Sequence, residues 1–318
     1  MASGSLTITA SDAGQRLDRF LKNRFPMIPY GAIQKWLRKG DVRINGKRAK
    51  PDARLEENDE LRLPPQAMAA PPKKNEGVYT VTHADRDMVK KALVFEDEAI
   101  LVLNKPAGLG AQAGDGQTRS LDRILAGIYG ADNAPKLVHR LDRETTGVMV
   151  LAKTRAAAAA LGEQFKGRDV SKEYLVLAVG KLAGQTSGVI DVNLAKKGPM
   201  AVAGGEGDVA QTRWKVLASG GEEENLHVIL AEPLTGRMNQ IRAHLAHIGL
   251  PLVGDGKYGG PQARELARRL LTPNVLYLHA WKLALSHPVT GKPCRWEAEA
   301  PPHFRALTDR FGSDTLPF

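Results

Sequence analysis

Residues 137–153 read LVHRLDRETTGVMVLAK and place an aspartate, Asp142, between two apolar runs. Residues 148–152 have the length and the residue types of a buried strand. Residues 145–147, Thr-Thr-Gly, supply two hydroxyls and a flexible backbone, which is typical of a bend. We therefore predict that Asp142 lies in a loop that leads directly into a strand of the core.

The charges around Asp142 allow two interpretations of this loop. A carboxylate is costly to bury unless a cation or several hydrogen-bond donors keep it ionised. His139, Arg140 and Arg143 are its neighbours in sequence, and only the two arginines are charged at neutral pH whatever their surroundings. Either the loop is solvated and holds a local salt bridge, or Asp142 is the charged group of a functional site.

The string HRLD, followed by Thr-Thr-Gly and an apolar strand, closely resembles the catalytic motif of the pseudouridine synthases of the ribosomal large-subunit group. In that family the last residue of HRLD is the active-site aspartate, and Asp142 stands at the matching position. The resemblance implies an enzyme that isomerises uridine to pseudouridine in RNA without a cofactor. It also implies an α+β fold built on a large mixed, mainly antiparallel β-sheet, and the many strand patterns downstream agree with such a sheet.

Further motifs extend the resemblance along the chain. Residues 104–108 read NKPAG, which is similar to the loop at the entrance of the family's active site, and residues 172–174 read KEY. In the family the tyrosine of the second motif packs against the target base, so the resemblance implies this role for Tyr174. Without the resemblance, Tyr174 is better explained as a half-buried tyrosine at the start of a strand.

The motif that supplies the cation is present with two departures. The family's usual string is GRTHQIRVH, and its QIR arginine pairs with the catalytic aspartate. Gln240, Ile241 and Arg242 match it, whereas Met238 and Asn239 do not. The resemblance implies that Arg242 pairs with the catalytic carboxylate, and the planar guanidinium suits this role because it can hold a carboxylate with two hydrogen bonds.

Cations and polar groups near these motifs are the candidate RNA contacts. Lys105 is either a phosphate contact or a solvated lysine at a strand end, and Arg237 supports either the RNA or its own loop. The complete set of predicted RNA contacts is Arg38, Lys39, Arg43, Lys47, Arg48, Lys105, His139, Arg140, Arg237 and Gln240.

Residues 14–63 form a basic module. The segment from Gly14 to Arg62 contains thirteen Lys or Arg and seven Asp or Glu, and the whole chain has a net charge of +10. Apolar residues at helical spacing predict two short amphipathic helices, and the dipeptide Asn45-Gly46 predicts a hairpin turn. The pattern resembles the S4 RNA-binding domain, whose basic second helix and following loop meet the phosphate backbone. Trp36 is predicted to lie in the core because it follows the helical spacing.

Residues 64–92 are predicted to be a proline-rich linker, and residues 93–318 the catalytic domain. Within the catalytic domain the apolar patterns predict helices and strands. The predicted strands are residues 94–95, 100–103, 148–152, 175–179, 189–194, 210–217, 226–230, 275–278 and 281–285, with a closing strand at 295–297, and the predicted helices are 155–165, 241–248 and 263–271.

Composition excludes several classes of protein. No run of about eighteen apolar residues and no signal-peptide layout is present, so we expect a cytoplasmic protein without a membrane partner. The single cysteine, Cys294, excludes an intramolecular disulfide and a cysteine-cluster metal site. His244 and His247 lack a third ligand, so no metal is expected.

The predicted partner is large-subunit ribosomal RNA or its precursor, bound by a monomer. Relatives that modify other ribosomal sites or transfer RNA share the pocket motifs and remain alternatives. A non-catalytic RNA-binding factor for ribosome assembly is a second alternative, although the aspartate, tyrosine and arginine are all retained. A hydrolase that uses Asp142 and Glu144 is a third, but two acids this close on a loop have no defined separation.

Overall fold

The computed structural model describes residues 4–9, 12–25, 28–68, 79–113, 119–198, 200–220, 225–269, 275–306, 311 and 316. The chain divides into two compact units, Met1–Val78 and Tyr79–Phe318. None of the helices in these ranges has the length and apolar character needed to cross a bilayer.

The amino-terminal unit packs its helices on a four-stranded sheet of order β1-β4-β2-β3. Its elements are β1 Gly4–Thr7, α1 Leu17–Arg24, α2 Tyr30–Lys39, β2 Arg43–Ile44, β3 Lys47–Arg48, β4 Glu60–Leu63 and α3 Pro65–Met68. The predicted apolar stripes of both helices are buried, and Trp36 packs half-buried against the same core. Asn45 and Gly46 both have positive φ, so the predicted hairpin turn is present.

The compact unit also includes a strand that precedes the predicted module of residues 14–63. Strand β1 pairs antiparallel with β4, from Gly4 opposite Leu63 to Thr7 opposite Glu60. Four residues with alternating exposure carry too little pattern to be recognised in sequence, and the strand is defined by its hydrogen bonds to a segment more than fifty residues away.

The predicted linker over residues 64–92 also extended too far. Residues 83–92 form helix α4, His83–Ala92, which Thr82 and Asp85 cap reciprocally and which buries Val89 and Ala92 in the core. Asp85 also accepts hydrogen bonds from the hydroxyl of Tyr79 at 2.6 Å and from Arg119 at 2.8 Å. These contacts tie residues 79–92 to the catalytic unit. Residues 69–78 of the predicted linker lie outside the described residues.

The catalytic unit is built on a ten-stranded sheet of order β10-β13-β14-β9-β15-β8-β6-β5, in which β16 also pairs with β15 and β7 with β8. Its elements after α4 are β5 Leu93–Glu96, β6 Ile100–Lys105, α5 Leu121–Tyr129, β7 Lys136–Leu137, β8 Thr146–Ala152, α6 Arg155–Gly167, β9 Ser171–Val179, β10 Ser187–Asp191, β11 Leu194–Lys197, β12 Met200–Ala203, β13 Gln211–Gly220, β14 Leu226–Pro233, α7 Gln240–His247, α8 Gly260–Arg269, β15 Leu278–Ser286, β16 Pro293–Glu297 and α9 Pro302–Arg305. Among these strands only β8 and β15 pair parallel, so the predicted mixed, mainly antiparallel sheet is confirmed.

Several elements of this unit were not foreseen. Helices α5 and α9 and the separate hairpin of β11 and β12 were not predicted. The strand predicted at residues 275–278 is not a separate element, because Leu278 is the first residue of β15, which contains the strand predicted at residues 281–285. The helices predicted at residues 155–165, 241–248 and 263–271 are present as α6, α7 and α8 with slightly different ends.

The parallel pairing fixes the loop that carries Asp142. Every residue of β8 is buried, and Gly147 lies opposite Ala280 of β15 with a φ of 115°. A Cβ at Gly147 would lie 2.1 Å from the carbonyl oxygen of Ala280, so only glycine permits the two strands to approach this closely. The side chain of Thr146 forms a 2.8 Å hydrogen bond with Nδ1 of His279 on β15. The end of the Asp142 loop is therefore anchored to the centre of the sheet.

Candidate active site

A cavity of about 450 Å³ lies where the Asp142 loop, the start of β9 and the residues leading into α7 meet. Asp142, Tyr174 and Arg242 all line it, although they are far apart in sequence. The three residues assigned by resemblance are therefore brought together around one cavity.

Asp142 forms an ion pair with Arg242 in this cavity. Nη1 of Arg242 donates to Oδ2 of Asp142 at 3.1 Å. The Asp142 side chain is 28% exposed, whereas that of Arg242 is 9% exposed, so the carboxylate faces the cavity and the cation lies behind it. A carboxylate presented in this way can act as a nucleophile or accept a proton.

The two-pronged hold expected of Arg242 is made on a different carboxylate. Its Nε and Nη2 donate to the two oxygens of Asp255, each at 2.7 Å, and only Nη1 reaches Asp142. The expected pair of hydrogen bonds to Asp142 was therefore wrong, because the bidentate edge of the guanidinium is occupied by a fully buried acid. Nη1 also approaches Oδ1 of Asn239 at 3.3 Å, and the guanidinium carbon lies 5.3 Å from the centre of the Tyr258 ring.

Asp255 is ionised although its side chain is buried. Burial would raise the pKa of Asp255, but the hydrogen bonds and the charge of Arg242 outweigh it and lower that pKa. The carboxylate also accepts from the backbone N–H groups of Lys257 and Tyr258, at 2.8 and 3.0 Å. Sequence reasoning missed Asp255. Its only local signal is an aspartate between two glycines, Gly254 and Gly256, a pattern typical of side-chain-bonded turns.

Tyr174 presents an aromatic ring beside Asp142. Burial, and then the charge of Asp142, raise the pKa of Tyr174, so its hydroxyl stays protonated. Within the described residues this hydroxyl has no hydrogen-bond partner, and the ring packs against two of the hydrophobic clusters of the catalytic unit. The side chain can therefore contact a bound base.

His139 lines the cavity but adds no charge. Burial, and to a smaller extent the nearby charge of Lys172, lower the pKa of His139 to about 3. Its Nε2 accepts a hydrogen bond from the backbone N–H of Val150 at 3.0 Å, and its ring stacks on Phe165 at 4.5 Å. Arg140 is exposed at the cavity and makes no hydrogen bond to the described part of the chain.

Lys105 is neither of the two things predicted for it. Only 1% of its surface is exposed, and its ammonium group donates to the carbonyl oxygens of Pro106, Leu109 and Arg143 at 2.8, 2.9 and 3.1 Å. Burial lowers the pKa of Lys105 to about 8, while the charges of Glu144 and Asp142 oppose this shift. All three donors are used within the protein, so the predicted phosphate contact was wrong. Lys105 instead ties the NKPAG loop to the residue after Asp142.

Gln240 is also unavailable to RNA. Its Oε1 accepts from the hydroxyl of Thr235 at 2.6 Å and from the N–H of Arg237 at 3.0 Å. Its Nε2 donates to the carbonyl of Gln211 and the hydroxyl of Thr212, at 2.8 and 3.0 Å. Because the amide is buried and its hydrogen bonds are made internally, the predicted RNA contact was wrong, and Gln240 holds the start of α7 against β13.

Arg237 supports its own loop, which was one of its two predicted roles. Its Nε donates to the carbonyl of Val209 at 3.1 Å, and Nη1 lies 3.5 Å from Asp208. Glu144 is outside the cavity and pairs with Arg143 at 3.4 Å, so the geometry offers no second acid for a hydrolase.

His244 uses both ring nitrogens inside the fold. Its Nδ1 lies 2.9 Å from the hydroxyl of Thr212, and its Nε2 lies 2.9 Å from the carbonyl of Val192. The described ranges contain no group of three or more His, Cys, Asp or Glu side chains that could hold a metal ion.

The five predicted RNA contacts of the amino-terminal unit are all exposed: Arg38, Lys39, Arg43, Lys47 and Arg48. Lys47 and Arg48 line a shallow groove of about 400 Å³ together with Lys50. The guanidinium of Arg48 also donates to the carbonyl of Arg38, which fixes the hairpin against the end of α2.

Comparison with known proteins agrees with this geometry. The family model for RNA pseudouridylate synthase matches residues 99–247, and that for the S4 domain matches residues 15–61. Ribosomal large subunit pseudouridine synthase C of Escherichia coli (strain K12) is 36% identical over 304 residues, which cover 92% of each chain. The protein of the same name from Pasteurella multocida (strain Pm70) is 34% identical over 309 residues, covering 95% of this chain and 92% of its own.

The fold is also similar to solved structures. Human RNA Pseudouridylate Synthase Domain Containing 4 has a TM-score of 0.57 and 24% identity, with 71% of this chain and 95% of that chain covered. The chain therefore belongs to the RNA pseudouridylate synthase family and carries an S4 domain at its amino-terminal end. It is an RNA pseudouridine synthase.

Proposed function

We propose that this enzyme isomerises specific uridines to pseudouridine in large-subunit ribosomal RNA or its precursor, with Asp142 as the catalytic carboxylate. The observation that carries the proposal is the 3.1 Å ion pair of Asp142 with Arg242 in a cavity that Tyr174 also lines. The ribosomal substrate is supported by similarity to synthase C over 92% of both chains.

The reaction needs one ionised carboxylate and a shielded site. The bond from uracil N1 to the ribose breaks, and a bond from C5 to the same ribose carbon replaces it, with no net oxidation or reduction. Asp142 either attacks the ribose carbon or removes a proton from the sugar, and both routes require its charged form. Arg242 pairs with the carboxylate at 3.1 Å, and Tyr174 packs against the uracil ring while the ring changes orientation.

The target uridine has to leave its stack before it enters the cavity. The exposed cations of the amino-terminal unit bind the RNA backbone through phosphate contacts, which supply affinity without base recognition. The enzyme acts as a monomer in the cytoplasm. Transfer RNA is the alternative substrate that the shared pocket residues permit.

Mapping pseudouridine in the ribosomal and transfer RNA of cells with and without this protein tests the proposal. We expect specific large-subunit positions to lose pseudouridine in the deleted cells and to regain it on expression of the wild-type chain, but not of Asp142→Asn. If the deleted cells lost pseudouridine only in transfer RNA, transfer RNA would be the substrate. An unchanged map, or full rescue by Asp142→Asn, would favour a non-catalytic role in ribosome assembly.

A further inference from the structure

In the part of the chain that the structure describes, four arginine or lysine side chains line the active-site cavity, and they differ in what they bind. Arg242 is committed to two carboxylates, and Arg237 to Asp208 and the carbonyl of Val209. Arg140 is exposed. The remaining cation, Lys172, is half-buried, and neither sequence motif nor mechanism has given it a role.

The strand places Lys172 beside the base-binding tyrosine. Lys172 and Tyr174 are two residues apart on β9 and both line the cavity, as the alternation of side chains along a strand requires. Glu173 between them projects to the other side and pairs with Arg295 at 3.1 Å. The Lys172 and Tyr174 side chains therefore leave the strand roughly 7 Å apart and face the same bound group.

Lys172 has no counter-charge in the described part of the chain. Its ammonium makes no hydrogen bond or ion pair there, in contrast to Lys105, whose three donors are all used. Burial alone lowers the pKa of Lys172, and no carboxylate opposes the shift. The charge of Lys172 acts on His139, whose lowered pKa keeps it neutral, so this histidine adds no charge beside the ammonium group. A partly desolvated cation is costly to hold unless an anion enters the site.

We propose that Lys172 binds a phosphodiester group next to the target uridine, inside the active-site cavity. An RNA phosphate supplies both the negative charge and the acceptor oxygens that the ammonium lacks. A nucleotide whose base packs on Tyr174 carries its own phosphates to the same face of β9. The contact positions the sugar relative to Asp142, and it is separate from the backbone contacts of the amino-terminal unit. The proposal rests on the enzyme class and holds whichever RNA is the natural substrate.

The test uses full-length protein and a synthetic RNA that wild-type enzyme modifies, whatever its source. The phosphate on the 5′ side or on the 3′ side of the modified uridine is replaced by an uncharged methylphosphonate. Affinities are measured for Asp142→Asn and for Asp142→Asn with Lys172→Met, so that no RNA is turned over. We expect one of the two replacements to reduce the RNA affinity of the Asp142→Asn protein roughly ten-fold, since a hydrogen bond to a charged group is lost.

The protein that also carries Lys172→Met should bind the normal and the uncharged RNA equally, and both at the weakened level. The RNA affinity of this protein should also fall less steeply with salt. The slope of log affinity against log salt concentration should be smaller by about one. Lys215→Met is the matched control, because Lys215 is an exposed strand lysine outside the cavity, and it should remain sensitive to the replaced phosphate. Lys172→Arg retains the charge and should remain sensitive as well.

Three outcomes would overturn the proposal. The first is a protein with intact Lys172 that binds both methylphosphonate RNAs as tightly as the normal RNA, a result that does not depend on any Lys172 variant folding. The second is a protein with both Asp142→Asn and Lys172→Met whose affinity falls on phosphate replacement as much as that of Asp142→Asn alone. The third is a Lys172→Met enzyme, with Asp142 intact, that loses kcat while its RNA affinity is unchanged, since this would place Lys172 in the chemistry.

Discussion

Arg242 is shared between two carboxylates, and the sharing is unequal. Asp255 takes two short hydrogen bonds and is fully buried, whereas Asp142 takes one and faces the cavity. The buried pair fixes the position of the guanidinium, and the third nitrogen, Nη1, pairs with the carboxylate that we propose as catalytic. Because Asp255 acts through Arg242, we assign it as a positioning residue and not as a catalytic one.

Asp142→Asn should abolish turnover and leave RNA affinity largely intact. The substitution preserves the shape of the side chain and removes only the charge and the nucleophilic oxygen. We expect activity to fall by at least about 100-fold, which corresponds to about 2.7 kcal/mol of transition-state stabilisation. Single-turnover rates and binding titrations on the same RNA provide the measurement. Residual activity above about a hundredth of wild type would exclude Asp142 as the essential group.

Arg242→Ala should damage both stability and turnover. It leaves Asp255 as a buried carboxylate without its cation, which costs about 3–5 kcal/mol of unfolding free energy. In the wild type the lowered pKa of Asp255 contributes stability that is present above pH 4 or so and is lost as the pH falls below that value. In the variant the pKa of Asp255 should be raised instead, so the buried group becomes protonated and less costly as the pH falls. The difference in unfolding free energy between the variant and the wild type should therefore be largest at neutral pH and should shrink towards pH 5. Denaturant unfolding at both pH values measures this.

A second substitution separates the two roles of Arg242. Replacing Asp255 as well, as Arg242→Ala with Asp255→Leu, removes the unpaired charge and should recover much of the lost stability without recovering turnover. Arg242→Lys keeps the charge but cannot reproduce the fork, so its activity should lie between wild type and alanine. Arg237→Ala, five residues earlier in the chain and before α7 begins, is the matched control and should be much milder. Equal turnover of Arg237→Ala and Arg242→Ala would refute this account of the site.

At the scale of elements, the Asp142 loop is held at two points on the carboxyl-terminal side of Asp142. Lys105 binds the carbonyl of Arg143, directly after Asp142, and the pairing of β8 with β15 begins at Thr146. Both contacts come from strands that are distant in sequence. The loop therefore owes its geometry to the sheet beneath it and not to its own residues.

Gly147→Ala should prevent this arrangement. The added methyl group would lie 2.1 Å from the carbonyl oxygen of Ala280, and the φ of 115° is strained for any residue with a Cβ. We expect a loss of more than about 3 kcal/mol in unfolding free energy, or failure to fold. Thermal and denaturant unfolding provide the measurement.

The matched control is Gly162→Ala in α6. Gly162 lies inside a helix, and a Cβ there would meet no other atom within 4 Å. Alanine should therefore stabilise the protein by about 0.5–1 kcal/mol. A Gly147→Ala protein as stable as wild type would mean that β8 and β15 do not approach as described.

At the scale of the whole molecule, the boundary between the units decides where the chain can be cut. Removing residues 1–78 should leave a folded catalytic unit with weaker RNA binding and a shallower salt dependence, because thirteen cations lie between Gly14 and Arg62. Affinity against salt concentration, compared with the full chain, is the measurement. Identical slopes would mean that the amino-terminal unit does not bind RNA.

Removing residues 1–92 is the contrasting truncation. It deletes α4 with its capping box and leaves Arg119 without the buried carboxylate of Asp85. This shorter protein should unfold at a clearly lower temperature than the one cut at residue 78. Equal unfolding temperatures would instead support a linker that extends to residue 92.

The sequence by itself determined the elements whose pattern is local. The apolar run of β8, the helical stripes of α1, α2 and α7, and the Asn45-Gly46 turn all follow from residue types at fixed spacing, and the structure contains each of them. The motif strings also predicted Asp142, Tyr174 and Arg242 as site residues, and all three line one cavity.

Only the tertiary structure decided which partner each polar side chain binds. From sequence, a lysine at the end of a strand and a glutamine at the start of a helix are both plausible RNA contacts. In the structure, the side chains of Lys105 and Gln240 make their hydrogen bonds inside the fold. Asp255 has no strong local signal, and it becomes the main partner of Arg242 through a contact between its own loop and helix α7. Hydrogen-bond partners depend on distance in space, and a buried polar group takes whichever partner the packing of the sheet brings within reach.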